Sequence, residues 1–515
     1  MRWAVVSMWR PTAWPSLTAD RQPRRRRMSA EASSDDGADD RCPACTDEAL
    51  DKSLWVACSH CETWFHVACL RLDNVDDYDT WYCAPCVSNP SLQLTPRMRR
   101  RSARERDATD YAAIQEGRPS DPLGRWARLL AEYDACPTAV RRVDGAAWTQ
   151  AWMESAPGAL DAPTLVPACD DAENPGSHIP GMRIPPRSTT IRDVARLVGP
   201  DTHVEVIDVK TQRSSRAWTL SEWADYFETP PAERAKLLNV ISLEISGTPL
   251  QALVEAPRMV RDSDWFERDW PRDRRPRAED SAKWPKVQRY VLMGVQGAFT
   301  DFHIDFAATY VYYHVVWGHK VFLFAPPTAA NLAAYKAWTS SARQESEWLG
   351  HALRDVTRAD IRTGETMLIP AGWIHAVHTP CDTLVIGGNF LADYDVAMHF
   401  RIEALEIATR VPRKFRFPHL IRLAWYVAAG WHRRLAARPP PVLAPRVRDG
   451  IAQLCKRLAT EVHIMGTLDA ASKVGHAAHE AVPRDAVPDP AALVQQLQAQ
   501  LADPERSAKR ARRET

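Results

Sequence analysis

The chain reads as a mixed α+β protein: a double-stranded β-helix of the jelly-roll kind with surrounding helices, a small zinc-stabilised module before it, and disordered termini. Three features predict this. From residue 239 to about 392, short apolar runs such as Asn239-Val240-Ile241-Ser242-Leu243 and Lys320-Val321-Phe322-Leu323-Phe324 alternate as strands do and are broken by Gly and Pro turns. After Asp393 the period becomes helical, with Met398, Ile402, Leu405 and Ile407, then Ile421, Leu423, Trp425 and Val427 beyond Pro418. Near the N-terminus, seven cysteines and a histidine follow one another at metal-ligand spacing.

Taken in order, residues 1–40 are acidic and basic low-complexity sequence with a disordered character, 41–88 the zinc module, and 89–138 a basic linker with helical character from Trp126 to Tyr133. Residues 139–238 hold mixed α/β segments, among them Ile191 to Leu197, expected to pack outside the barrel. The barrel takes 239–392, a helical region 393–465, and a largely disordered basic tail 466–515, relieved by one short Leu/Gln-rich helix. The opening apolar stretch is cut by Arg10 and Pro11 before it reaches signal-peptide length, and no later run is long enough to span a bilayer.

In the zinc module, Cys42, Cys45, Cys58, Cys61, His66, Cys69, Cys83 and Cys86 are spaced C-x2-C, twelve residues, C-x2-C, four, His, two, Cys, thirteen, C-x2-C. Close pairs form edges of tetrahedra and distant ligands complete them, which is the pattern of two interleaved Zn sites. A disulfide scaffold is the alternative, opposed by the place of His66 and the lack of a secretory signal. So short a segment cannot bury a core of its own, and on the order of 10 kcal/mol per structural zinc would supply what packing cannot. The other four of the 11 cysteines, Cys136, Cys169, Cys381 and Cys455, lack metal spacing and read as thiols of a reducing compartment.

Within the barrel, Thr300-Asp301-Phe302-His303-Ile304-Asp305-Phe306 alternates as a buried strand, so His303 and Asp305 point the same way. Ile369-Pro370-Ala371-Gly372-Trp373-Ile374-His375 is a Pro/Gly turn feeding a further strand that brings a second histidine. Two imidazoles and a carboxylate on one face of iron leave positions open for a co-substrate and O2. A hydrogen-bonded core histidine is the plainer reading of each His alone. Lys320, an ammonium opening an apolar strand, calls for an anion such as a dicarboxylate. Tyr313 and Thr300 add hydroxyls on flanking strands, and Asn239 an amide.

These stretches resemble the JmjC oxygenases, and within them the histone H3 lysine 36 demethylases whose animal members also carry F-box and CXXC modules. The likeness covers roughly residues 160–430 through "TIRDVARLVGPDTHVEVIDVKTQ", "NVISLEIS", "TDFHIDF", "YYHVVWGHKVF", "IPAGWIHAVHTP" and "GGNFL", in the family's order and spacing. It implies that His303, Asp305 and His375 bind Fe(II), and that Thr300, Lys320, Asn239 and Tyr313 hold the co-substrate 2-oxoglutarate, with Lys320 on its distal carboxylate. Mono- or dimethylated lysine 36 of histone H3 is the implied substrate. Where relatives carry Gly-Gly-Thr-Ser, this chain has Ala307-Ala308-Thr309-Tyr310, whose added bulk bears on the substrate channel.

The N-terminal module resembles a PHD finger. That likeness implies crossed pairing, with Cys42, Cys45, His66 and Cys69 on one zinc and Cys58, Cys61, Cys83 and Cys86 on the other. Trp64 and Trp55 stand where methyl-lysine readers carry cage walls, worth roughly 1 to 2 kcal/mol of cation–π attraction; the tryptophan before the histidine would equally pack the module's core. Net charge is only +1, but residues 24–27, 97–101 and 509–513 form basic clusters, each an import signal, a phosphate contact on nucleosomal DNA, or a solvated tail. Together these readings imply a nuclear demethylase on the histone H3 tail and nucleosome, using Fe(II), 2-oxoglutarate, O2 and two Zn2+, with no membrane partner. A JmjC protein hydroxylase and a non-catalytic chromatin reader are the alternatives.

Overall fold

The computed structural model describes residues 129–138 and 140–502, apart from 211–212, 275–283 and 342–346, together with short stretches between residues 25 and 96. It forms two units, residues 1–120 and 121–515. In the first, β1 (Arg25–Arg27), β2 (Leu54–Ala57) and β3 (Trp64–His66) make a three-stranded antiparallel sheet, and β4 (Tyr78–Thr80) pairs with β5 (Thr95–Pro96). Arg25 to Arg27, expected in a disordered segment, instead form the edge strand of that sheet. The sheet is very small. Its buried side chains include Val56, Ala57 and Phe65, beside Cys58 and Cys83.

The second unit holds an 11-stranded sheet. Its strands are β6 (Arg141–Arg142), β7 (Thr164–Val166), β8 (His203–Asp208), β9 (Arg213–Thr219), β10 (Leu238–Glu244), β11 (Tyr290–Gly294), β12 (Phe299–His303), β13 (Tyr310–Ala325), β14 (Thr357–Arg362), β15 (Thr366–Ile369) and β16 (Ile374–Phe390). β13 and β16 pair antiparallel along nearly their whole length and are the hinge of the architecture. The first half of β13 also pairs with β15 and its second half with β14, while the halves of β16 pair with β11 and β12. Two long bent strands thus belong to both layers, as a jelly roll requires. The bend falls at Gly318, whose φ is +103°, and where a Cβ would meet the Asp382 carbonyl oxygen at 2.5 Å. Only glycine fits there.

Inside the roll, Val311, Tyr313, Val315, Phe322, Phe324, Met367, Ile369, Trp373 and Val385 form one buried cluster. The opposite faces pack into a larger core that includes Tyr310, Tyr312, Leu384 and Ile386. Alternation along β13 accounts for the division, since odd positions from Val311 to Val315 face in and Tyr310 and Tyr312 face out. The segment expected to pack outside the barrel contributes strands as well as helices: β7 joins β15, and β8 and β9 extend the sheet beyond β10.

The Val396–Ala408, Leu420–Ala436 and Pro445–Thr467 helices follow the barrel. Leu423, Ala424, Trp425 and Val427 are fully buried. The tail holds the expected Leu/Gln-rich helix, at 490–502, and is more ordered around it than expected. Residues 473–481 and 490–502 are helices, and Val482, Val487, Leu493, Val494 and Leu497 are buried in the main core. The apolar spacing of Leu493, Val494 and Leu497 forms a stripe that finds the Leu420–Ala436 helix as partner, which composition alone did not reveal. Residues 503–515, with the last basic cluster, lie outside the described residues. Among the described residues no helix is long and apolar enough to cross a membrane.

Candidate metal centre

His303 ends β12 and His375 stands second in β16, and the two are direct cross-strand partners. Their rings lie 4.2 Å apart between centroids. Asp305 follows β12 rather than belonging to it, at the entrance of a short 3-10 turn, Phe306–Ala308. Simple alternation along one strand therefore does not describe the pair. The register slips between Thr300 and His303, and the chain turns after His303 to present the carboxylate. One ligand atom from each of His303, Asp305 and His375 lies within 4.8 Å of the others, a grouping able to hold a metal ion.

The backbone aims both imidazoles. His303 Nδ1 donates to the Asp301 carbonyl at 2.9 Å and His375 Nδ1 to the Trp373 carbonyl at 3.1 Å. A carbonyl can only accept, so the Nδ1 atoms carry the protons and each Nε2 keeps its lone pair for a metal. Burial pushes the His375 imidazole down to about 4, with the neighbouring His303 adding to the shift against the opposing pull of Asp305. It is thus neutral and ready to ligate at physiological pH. Phe322 and Phe324 flank the His375 ring at 6.0 and 5.7 Å, giving the site a dry wall.

Asn389, near the end of β16, joins the site from a position that no local sequence signal marks as part of it. Its amide donates to Asp305 Oδ1 at 3.2 Å and to Thr309 Oγ1 at 2.9 Å, fixing the carboxylate. The motif around it was visible, but nothing local shows that an amide 84 positions away reaches the ligand.

The proposed 2-oxoglutarate residues lie on adjoining strands. Asn239 is the cross-strand partner of Gly294, and a Cβ on Gly294 would come within 2.5 Å of Lys320 Nζ. The glycine makes room for the ammonium. Asn239 Nδ2 reaches Thr300 Oγ1 at 3.4 Å, while its Oδ1 is buried without a partner. Lys320 is 3% exposed and donates to Thr379 Oγ1 at 2.7 Å, and among the described residues no carboxylate meets it. Burial drags its amine down to about 7. An orphaned amide oxygen and a buried, uncompensated amine are what a polar dicarboxylate would satisfy, so these residues fit 2-oxoglutarate. Tyr313 lies in the inner cluster with its ring edge-on to Phe322 at 5.2 Å, and burial holds its phenol protonated, a donor.

Of the departures noted at 307–310, Tyr310 is fully buried on the outer face of β13, stacked on Phe390 at 5.2 Å and bonded through its hydroxyl to Asp395. Its phenol therefore takes no space inside the roll.

In the N-terminal unit, Cys58, Cys61, Cys83 and Cys86 bring their sulfurs within 4.8 Å of one another, with Cys61 and Cys83 at 3.6 Å. Thiolates so close repel unless a cation lies among them, and four sulfurs in a cluster suit Zn2+. Cys42, Cys45 and Cys69 lie outside the described residues, as do the side chains of His66, Trp55 and Trp64. The register pairs Trp55 with His66 and Ala57 with Trp64.

Comparison with known proteins matches residues 290–390 to the family "JmjC domain, hydroxylase". The chain is 48% identical over 483 residues to JmjC domain-containing histone demethylation protein 1 of Mycosarcoma maydis, covering 82% of this chain and 72% of that protein. It is 36% identical to the protein of the same name from Yarrowia lipolytica, covering 82% of each. Lysine-specific demethylase 2A of Xenopus tropicalis is 45% identical over 253 residues, 48% of this chain but 22% of that longer protein. The chain belongs to the JmjC-domain histone demethylation protein family.

Proposed function

We propose that the protein is an Fe(II)- and 2-oxoglutarate-dependent histone lysine demethylase that removes methyl groups from mono- and dimethylated lysine 36 of histone H3. One observation carries the reading: a two-histidine, one-carboxylate cluster in the same roll as a buried lysine that no carboxylate meets among the described residues. Iron with 2-oxoglutarate and O2 supplies the oxidation: one oxygen atom goes to the N-methyl carbon and the other to succinate, with release of CO2. The hydroxylated methyl then leaves as formaldehyde and the amine is freed.

The chain's own residues provide placement. His303, Asp305 and His375 would hold the metal on one face, and Asn389 keeps the carboxylate from rotating away. Lys320 and Thr379 would bind the far carboxylate of the co-substrate, with Asn239, Thr300 and Tyr313 along its length. Phe322, Phe324 and Trp373 exclude water from the reacting centre. The four-cysteine module, with a second zinc on Cys42, Cys45, His66 and Cys69, would bind a histone tail and raise the local concentration of substrate. A nuclear setting and DNA contacts through the basic clusters accompany that reading, as does a methyl-lysine cage of Trp55 and Trp64.

The test is a panel of methylated H3 peptides and nucleosomes incubated with enzyme, iron, 2-oxoglutarate and ascorbate, followed by mass. Loss of methylene from lysine 36 with formaldehyde release is expected. A stable gain of oxygen would make it a hydroxylase instead. Turnover of 2-oxoglutarate with every methylated peptide unchanged would end the demethylase reading.

A further inference from the structure

Two consecutive alanines follow the carboxylate of the triad in left-handed backbone: Ala307 at φ +49° and Ala308 at φ +51°. Glycine adopts this region freely, whereas a Cβ strains it, so the turn needs an outside hold. The Val396–Ala408 helix provides two contacts. Glu406 Oε1 accepts the Ala307 amide proton at 2.8 Å, and His399 Nδ1 faces the carbonyl oxygens of Ala307 and Ala308, both at 3.1 Å. Positions 399 and 406 are two helical turns apart and share one face. All four residues are buried, none more than 6% exposed.

Glu406 is otherwise hard to explain. It sits near the C-terminal end of its helix, where the dipole disfavours an acid, and its Oε2 is buried without a partner. Burial raises its carboxyl to about 7. A buried carboxylate whose one hydrogen bond goes to a strained backbone amide has its position for that amide.

We propose that Glu406 and His399 are positioning residues for the metal centre: they clamp the Phe306–Ala308 turn in its left-handed form and thereby fix where Asp305 presents its carboxylate. The inference rests on the metal reading of the triad. The clamp acts through the backbone, and neither residue touches metal or substrate.

Cobalt(II) affinity of the His303, Asp305 and His375 site in the full chain, its cysteine sites first filled with zinc, and the melting temperature together test the clamp. Glu406→Leu should weaken Co(II) binding about tenfold, in the range typical of groups that orient a ligand. Glu406→Gln keeps an acceptor for the amide and should stay within about threefold. Ala307→Gly should be near wild type alone and, combined with Glu406→Leu, should restore a large part of the lost affinity and melting temperature, because the position whose amide Glu406 holds is then free of strain and only Ala308 remains strained. A double variant no better than Glu406→Leu, or a Glu406→Leu protein that binds cobalt as wild type does, overturns the proposal. If Glu406→Leu does not fold, Ala307→Val serves: a branched side chain burdens the turn with Glu406 in place, and undiminished cobalt affinity would refute the clamp. Failure of the wild-type chain to bind cobalt would remove the metal reading, and glycine rescue of the melting temperature would then decide the clamp by itself.

Discussion

The four-cysteine cluster and the His-Asp-His cluster both gather donor atoms from distant points of the chain, yet by opposite routes. Around Cys58, Cys61, Cys83 and Cys86 the strands are three or four residues long, and among the described residues few apolar side chains are buried. Around His303, Asp305 and His375 run strands of 16 and 17 residues with a filled interior. In the first region the ion would make the fold; in the second the fold makes the ion's site.

The largest effect should come from stripping metal. With a chelator, or with Cys58→Ser, amide protection across β2 and β3 should vanish, since on the order of 10 kcal/mol per structural zinc is withdrawn from a module with little else. β13 and β16 should keep theirs. Hydrogen exchange reads both regions in one sample, and persistent protection of β2 and β3 without metal would erase the contrast.

Next in size is Lys320→Met. Removing a buried ammonium whose one side-chain partner among the described residues is Thr379 should leave the ligand-free fold as stable or more so by about 1–3 kcal/mol. Affinity for 2-oxoglutarate should fall by on the order of 100-fold or more, the cost of leaving its carboxylate unpaired. The pH dependence has a definite sign. The folded amine titrates near 7 and the unfolded one at 10.5, so between these values the unfolded chain holds more protons and ligand-free stability rises with pH. Binding a dicarboxylate needs the ammonium, so affinity should weaken above pH 7, by up to about tenfold per unit. Calorimetry in buffers of different ionisation enthalpy should show proton uptake in wild type and none in Lys320→Met.

Asn389→Ala should cost about 10- to 100-fold in metal affinity by freeing the Asp305 carboxylate. If iron binds the variant as tightly as wild type, the barrel backbone alone fixes the ligand. The residue also marks where legibility in the sequence stopped. His303, Asp305, His375 and Lys320 stood out because each interrupts an otherwise apolar run of the sequence. Asn389, Thr379 and Gly294 do not, since an amide, a hydroxyl and a glycine are ordinary at strand positions and their roles exist only across strands. The jelly roll was readable from alternation, as was the Leu/Gln-rich helix of the tail, whereas two things were not: the bend at Gly318 that lets β13 and β16 serve both layers, and the packing of residues 473–502 into the main core. Each depends on a partner far along the chain.

The smallest effect belongs to Tyr310. From sequence its bulk bore on the substrate channel; in the fold it stands on the outer face of β13, bonded to Asp395 and packed on Phe390. Tyr310→Phe keeps that packing and loses one hydrogen bond to a carboxylate, so the melting point should drop by the equivalent of about 1–2 kcal/mol. Turnover and the preference between mono- and dimethyl-lysine should not change, because no atom is added to or removed from the inner cluster that holds Tyr313, Phe322 and Trp373. A shift in methyl-state preference at constant stability would mean that the outer face of β13 reaches the substrate after all, and the division between a supporting face and a reacting face would have to be redrawn.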